Sequence, residues 1–201
     1  MRHARSRAIA WLGVAAVALI AGCVTQQKID AIKAINVEFQ REYEKTLKEN
    51  GTHAVSAPPK EAYDAVLAAL VKMGLVIKEQ SRDLGVISAE APTPAPLTRE
   101  EFDRCAAIDL PRARQIIRPY LSILAEGFKF DPGGLDTVMT ATIIGVSTGS
   151  EVSFTMRLRE VGPPDTTYPR RDYPPPTVLR FGLDKTWDTV NRELASTQKR
   201  S

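Results

Sequence analysis

The sequence predicts an α+β fold, a two-layer domain in which two helices cover one side of an antiparallel sheet of four or five strands. Residues 75–90 and 137–158 each contain two runs of strand-forming residues around a glycine-containing turn, a pattern typical of a β-hairpin. Residues 58–73 and 183–195 carry apolar residues at helical spacing. Because each helix must bury its apolar face, both are expected on the same side of the sheet.

An N-terminal tether helix is predicted over residues 26–50, within a segment that spans 23–51. Its apolar residues recur at spacings of three and four, and Gly51 follows its end. Charges of both signs flank this stripe, which favours packing on protein, own or foreign, over lying on a membrane surface. The stripe consists of Ile29, Ile32, Ile35, Phe39, Tyr43 and Leu47.

The body of the protein is predicted as a single domain over residues 52–198. A short strand at 52–57 precedes a helix that begins at Pro58-Pro59, since the missing N–H of proline costs nothing in a first turn. Gly74 supplies the end of that helix. In the second hairpin, one face is apolar and the other polar, because apolar residues alternate with Ser153, Thr155, Arg157 and Arg159.

Between the hairpins, residues 92–134 are predicted as an irregular insertion that holds a short helix. Thr98 and Glu101 form a capping box at its start. Pro119 is expected to prevent one continuous helix, so that both a strand and a broken helix are compatible with residues 115–130. Three arginines of this stretch are interpreted as part of a solvated helix face. The alternative is that they bind anionic lipid head groups or an acidic partner. They are Arg112, Arg114 and Arg118.

Residues 162–176 contain six prolines and are predicted to form an extended surface loop before the last helix. A docking segment is the alternative, because tyrosine and arginine are enriched where proteins bind one another. The candidate partner contacts in this loop are Tyr168, Arg170, Arg171 and Tyr173.

The front of the chain has the pattern of a signal peptide. Three arginines precede an apolar run at 8–21, which is shorter than the roughly 20 residues of a membrane-spanning helix. The run ends in a motif that resembles a bacterial lipobox: Leu19, Ile20, Ala21, Gly22 and Cys23. The resemblance implies that the four residues before Cys23 are recognised by a signal peptidase, that residues 1–22 are removed, and that Cys23 carries a diacylglycerol and an N-acyl chain.

Val24 follows the cysteine. In the bacterial lipoproteins that carry such a motif, an aspartate at this position retains the protein in the inner membrane. The resemblance therefore implies the outer membrane, with the body on the periplasmic face. Without residues 1–22 the chain has equal numbers of basic and acidic residues, because three of its arginines lie in the leader. No nucleic-acid partner is expected from this balance.

A second resemblance concerns residues 57–91. Ala62-Tyr63-Asp64-Ala65-Val66 lies in the predicted helix, Gly74-Leu75-Val76-Ile77 follows it, and Asp83-Leu84-Gly85-Val86-Ile87 lies in the first hairpin. This pattern is similar to the helix-grip domains of the C subunit of the outer-membrane barrel-assembly machinery. The resemblance implies a helix-grip-like fold and a role in outer-membrane assembly, and it transfers no functional residue.

The residues that usually carry catalysis are sparse. After the leader, the chain has one histidine, His53, and one cysteine besides Cys23, Cys105, which is interpreted as a small buried thiol. No phosphate loop, Gly-x-Ser-x-Gly, His-Glu-x-x-His or Cys-x-x-Cys motif occurs. We therefore expect no catalytic residue, no metal, and no cofactor other than the covalent lipid.

The sequence favours a lipid-anchored, non-enzymatic scaffold or accessory subunit that binds an envelope protein. The alternative is a carrier of a lipid or other apolar ligand in a groove between helix and sheet. A hydrolase that uses Cys105 is a third hypothesis. A groove filled by the chain's own side chains would favour the first.

Overall fold

The computed structural model describes residues 3–162 and 171–198, with side chains over 26–162 and 171–197. The helices in this part of the chain are α1 (His3–Asn50), α2 (Pro59–Lys72), α3 (Arg99–Leu121) and α4 (Pro176–Gln198), and a 3₁₀ helix spans Ser122–Gly127. The strands are β1 (Thr52–Val55), β2 (Val76–Ser81), β3 (Val86–Pro92), β4 (Leu135–Val146) and β5 (Gly149–Glu160). The α+β class is confirmed.

The five strands form one antiparallel sheet in the order β1-β5-β4-β3-β2. Both predicted hairpins are present, β2 with β3 and β4 with β5. The short β1 pairs with the beginning of β5, where Thr52 lies opposite Ser153. The sheet therefore has five strands, and its edge strands come from the beginning of the body.

One face of the sheet forms the main core. Every second residue of β4 from Leu135 to Ile143 is buried, and β5 alternates in the same way. Buried residues of α2 and α4 belong to the same cluster as this face, so both helices cover one side as predicted. Each fully buried Leu, Val or Phe contributes about 1.5–3 kcal/mol to folding. The cluster includes Val66, Leu70, Met139, Phe154, Leu179 and Leu183.

The helix α3 is longer than the sequence predicts. The capping box at its start is present, with Thr98 and Glu101 bonded in both directions. The expectation that Pro119 prevents a continuous helix is wrong, because α3 passes through Pro111 and Pro119 and the chain then continues as the 3₁₀ helix. Each proline removes one N–H from the ladder, and the burial of Ala113 and Ile117 offsets that loss.

The tether helix α1 packs on the body of its own chain. The central positions of the predicted stripe are buried, namely Ile35, Phe39 and Tyr43. Ala31, which lies beside the stripe, is buried as well. Its main neighbours are α3 and α4. Within the described residues, none of the helices is both long enough and apolar enough to cross a bilayer.

Candidate functional site

The first candidate site is the region where the tether helix meets the body, here called the tether junction. Three faces meet there: one from α1, one from α3, and the 3₁₀ helix with the segment after it. Small side chains allow the two helices to approach closely, and larger aromatic residues close the side. The buried members are Ala31, Ile35, Phe39, Ala113, Ile117 and Ala125, with Phe128, Phe130 and Tyr173 packed against them.

Aromatic pairs line one side of the tether junction. The ring centroids of Phe39 and Phe130 are 5.8 Å apart, and Tyr43 meets Tyr173 edge-on at 5.2 Å. The guanidinium of Arg157 lies over both tyrosine rings, 5.3 and 5.4 Å from their centroids. Such pairs contribute about 0.5–1.5 kcal/mol each beyond the area that they bury. Tyr173 is thus part of the surface on which α1 packs.

Ion pairs form the rim of the tether junction. Arg112 of α3 bonds Glu38 of α1, and its other nitrogen is 3.1 Å from Glu42. Arg118 pairs with Glu126, and Arg114 donates to the carbonyl of Phe128 at 3.3 Å. The three arginines, predicted to form a solvated face or to meet an anionic partner, therefore have partners inside the chain. Because Arg112 is half-exposed, each of its pairs contributes little to stability.

A partly buried carboxylate joins α3 to the start of α4. Asp109 accepts hydrogen bonds of 2.8 Å from both the backbone N–H and the hydroxyl of Thr177. Burial raises the pKa of Asp109, and the two bonds from Thr177 act in the opposite direction. The carboxylate satisfies an N–H in the first turn of α4, as a capping residue does.

The tether junction contains an apolar pocket of about 130 Å³ that is partly open to solvent. That is the volume of a few water molecules, at about 30 Å³ each, and lies below the roughly 300–1,000 Å³ of small-molecule pockets. The residues that line it include Ile35, Phe39, Phe102, Phe130, Leu158 and Tyr173. A ligand larger than a few methylene groups would have to extend out of the pocket or displace protein side chains.

The space between α2, α4 and the sheet is where the sequence places a groove for an apolar ligand. Side chains of the chain itself fill it: Leu70, Leu179 and Leu183 have no exposed surface, and Phe154 is almost fully buried beneath them. Trp187 completes the layer against Phe154, with centroids 4.8 Å apart. A ligand there would have to compete with a packed core.

The second candidate site is the opposite side of the sheet, here called the open face. Its residues on the three central strands are partly or fully exposed. At one end, Arg159 bonds both oxygens of Glu90 at 2.6 Å and lies 3.2 Å from Asp136, across three strands. Hydroxyl residues share the rest of this face with Val86, Val138, Ile144, Glu151 and Arg157; they are Ser88, Thr140, Thr142, Ser153 and Thr155. The alternation in β5 predicts this polar face, but the network across three strands depends on pairings that the sequence does not reveal.

The residues predicted to contact a partner are only partly visible. Tyr168 and Arg170 lie outside the described residues. Arg171 is 3.4 Å from Glu160, and Tyr173 packs in the tether junction. The predicted lipid and peptidase residues, Leu19, Ile20, Ala21, Gly22 and Cys23, have backbone in α1 and side chains outside the described part.

The two residues considered for catalysis, Cys105 and His53, both take part in packing. Cys105 is buried on α3, and this burial raises the pKa of its thiol, which disfavours the reactive thiolate. His53 stacks on Trp187, with ring centroids 4.1 Å apart. No group of three His, Cys, Asp or Glu side chains that could hold a metal ion occurs in the described part of the chain.

Comparisons with models of protein families, with curated proteins and with solved structures give no match for this chain. The similarity of residues 19–23 to a lipobox and of residues 57–91 to a helix-grip domain stays a prediction from the sequence.

Proposed function

We propose that this chain is a lipid-anchored envelope protein that acts as a non-catalytic scaffold or accessory subunit, possessing one surface for another envelope protein. In this proposal Cys23 carries the lipid, and the body lies on the periplasmic face of the outer membrane. A role in outer-membrane assembly is the specific form that the helix-grip resemblance favours. The observation that carries the proposal is the open face, a polar sheet surface opposite a filled core.

The filled core supports action through a surface. The space between the helices and the sheet is occupied by Leu70, Phe154, Leu179 and Leu183. A partner therefore has to meet the outside of the protein. The open face offers hydroxyl side chains, which lose little conformational freedom when they bind, beside the charged group of Arg159.

The docked tether helix also supports a scaffold. Because α1 packs on α3 and α4 through buried residues, the direction from the anchor to the body is set by contacts. A fixed direction presents the open face to the same side of every anchored molecule. A scaffold gains from such an orientation, since it reduces the rotational freedom lost when a partner binds.

The anchor is tested by the mass of the protein extracted from bacterial membranes. We expect a chain that lacks residues 1–22 and carries the added mass of a diacylglycerol group and an N-acyl chain on Cys23. The Cys23→Ala variant is expected to lack the lipid and to retain its leader. A retained leader or a bare Cys23 in the unaltered protein would contradict the anchor.

The binding surface is tested by photo-crosslinking in intact cells. A photoreactive amino acid replaces Thr140 or Thr155 on the open face, and Glu61 on the exposed side of α2 serves as the matched control. We expect the same discrete adduct from both open-face positions and none from the control position. Adducts that are absent from the open face, or equal at all three positions, would contradict the proposal.

A second candidate function, carriage of a lipid or other apolar ligand, is favoured by the apolar pocket of the tether junction. The pocket of about 130 Å³ is small for such a ligand. Native mass spectrometry of the membrane-extracted protein separates the two functions. A scaffold is expected to show the mass of the lipidated chain alone, whereas a carrier would show a further non-covalent mass.

A further inference from the structure

Three apolar side chains protrude from the end of α3. Ile123 is 82% exposed, Leu124 is 64% exposed, and Tyr120 is 37% exposed. Ser122, at the C-cap between them, has a φ of 50°, and the 3₁₀ helix then leads back along α3. We call these three residues the apolar tip. Burying three such side chains in water-free surroundings is favourable, and leaving them in water has no structural benefit to the body.

The contacts between α1 and α3 place the apolar tip at one end of the molecule. Ile108, early in α3, lines a cleft with Lys45 and Glu49, near the end of α1. Arg112, one turn later, bonds Glu38 and is close to Glu42. The two helices are therefore antiparallel, and the chain approaches the beginning of the tether helix as α3 proceeds.

The end of α3 lies beside the first buried residue of the tether helix. Ile117 and Ala125 belong to the same cluster as Ala31 and Ile35. Cys23 precedes Ala31 by eight residues of α1, which is about 12 Å along a helix. The apolar tip is thus at the end of the body from which the chain runs to the proposed lipid.

We propose that the apolar tip is a second membrane contact, in which Ile123 and Leu124 enter the surface of the bilayer that holds the lipid of Cys23. Tyr120 then lies at the level of the head groups, where aromatic side chains with a polar end are favoured. This inference rests on the proposed lipid anchor. Its consequence is that the body is held at two points and keeps a fixed tilt.

The contact is hydrophobic in character. Arg118 pairs with Glu126, and Arg114 bonds the carbonyl of Phe128, so the arginines nearest the apolar tip are already engaged. Anionic head groups would have to compete with those partners. Insertion is therefore expected in zwitterionic vesicles as well as in anionic ones.

The experiment places a tryptophan in the apolar tip of the mature, lipidated protein. The Leu124→Trp variant is reconstituted in phosphatidylcholine vesicles with brominated acyl chains, which quench an indole inside the bilayer. Ile108→Trp is the matched control, because Ile108 is similarly exposed, at 68%, and lies on α3 about 20 Å before the C-terminal end of that helix. The native Trp187 is buried and contributes the same background to both variants.

We expect brominated lipid to reduce the added fluorescence of the Leu124→Trp variant at least two-fold and to leave that of the Ile108→Trp variant unchanged. Equal quenching of both variants, or none in either, would overturn the inference, as would quenching that requires anionic lipid. If a partner protein, and not the bilayer, covers the apolar tip, the Leu124→Trp indole is expected to stay unquenched.

The mass of the same sample separates this inference from the proposed function. A lipidated chain whose Leu124→Trp indole is unquenched would overturn the apolar tip alone. A bare Cys23 would overturn the anchor and the inference that rests on it.

Discussion

The indole N–H of Trp187 donates a hydrogen bond of 2.7 Å to the backbone carbonyl of Asn50, the last residue of α1. A carbonyl at the end of a helix has no partner within that helix, so the indole supplies the missing donor. The same ring packs edge-on against Phe154 and face-on against His53. One residue of α4 therefore fixes the end of the tether helix to the main core.

Replacement of Trp187 by phenylalanine is expected to lower the free energy of unfolding by about 2–4 kcal/mol. The variant loses a buried hydrogen bond, about 1–3 kcal/mol when the partner is left unsatisfied, together with part of a large ring. Urea unfolding followed by circular dichroism measures the change. Asn50→Ala is the control, because it keeps the carbonyl that Trp187 binds, and it is expected to change the free energy by less than about 1 kcal/mol. Equal losses in the two variants would contradict this role of the indole.

Local patterns in the sequence predict the parts of the fold that depend on neighbouring residues. The two hairpins and the capping box of Thr98 and Glu101 arise from alternation and spacing within a few residues, and all three are present. The pairing of Thr52 with Ser153 joins residues 101 positions apart, and no local pattern encodes it. The sequence thus predicts where helices and strands occur better than it predicts which of them lie beside one another in the fold.

The tether junction shows why the rest was not predicted. The stripe on α1 predicts a helix that packs on protein, but its partners Ala113 and Ala125 are small residues in a segment whose prolines favour irregular structure. Tyr173 lies in the proline-rich loop and was expected to contact a partner, yet it packs on Tyr43. Because tertiary burial outweighs local preference at these positions, only the three-dimensional arrangement reveals their role.

Apolar contacts, more than ion pairs, are expected to hold the tether helix in place. Phe39→Ala removes a buried ring from the tether junction, and such truncations cost about 3–5 kcal/mol. Arg112→Ala removes half-exposed pairs to Glu38 and Glu42, which contribute at most about 1 kcal/mol. Hydrogen exchange over residues 31–43 is expected to rise strongly in the first variant and slightly in the second.

The salt dependence provides a further check on the tether helix. Screening at high ionic strength weakens exposed ion pairs and leaves apolar burial largely unaffected. The exchange of residues 31–43 in the unaltered protein is therefore expected to be nearly the same at low and high salt. A tether helix that detaches when only Arg112 is replaced would show that the ion pairs dominate.

The thiol of Cys105 is expected to be unreactive in the folded protein. It is buried on α3, and its raised pKa keeps it protonated at neutral pH. In a Cys23→Ser background, the thiol reagent DTNB is expected to label Cys105 at least a hundred times more slowly in buffer than in urea. Ile108→Cys in the same background is the control and is expected to react at once, because Ile108 is exposed on the same helix. Rapid labelling of Cys105 in buffer would revive the hydrolase hypothesis.

The pH dependence of stability is expected to carry a contribution from Asp109. Burial raises its pKa in the folded state above the ordinary value of 3.8, so the folded protein takes up a proton at a higher pH than the unfolded chain does. The contribution of this group to stability is therefore greatest below pH 3.8 and is lost as the pH rises through the raised pKa.

The Asp109→Asn variant isolates that contribution. An asparagine is uncharged, can accept the bond from the N–H of Thr177, and can donate to its hydroxyl. Relative to the unaltered protein, the variant is expected to become more stable as the pH rises from 3.5 to 7, and Asp109→Ala, which loses both bonds, is expected to follow the same trend while staying about 1–3 kcal/mol less stable than Asp109→Asn. Urea unfolding across this pH range measures both, and Asp103→Asn, an exposed carboxylate on the same helix, controls for the loss of one negative charge. An Asp109→Asn variant that instead loses stability relative to the unaltered protein as the pH rises would show that the carboxylate stabilises the fold in its charged form.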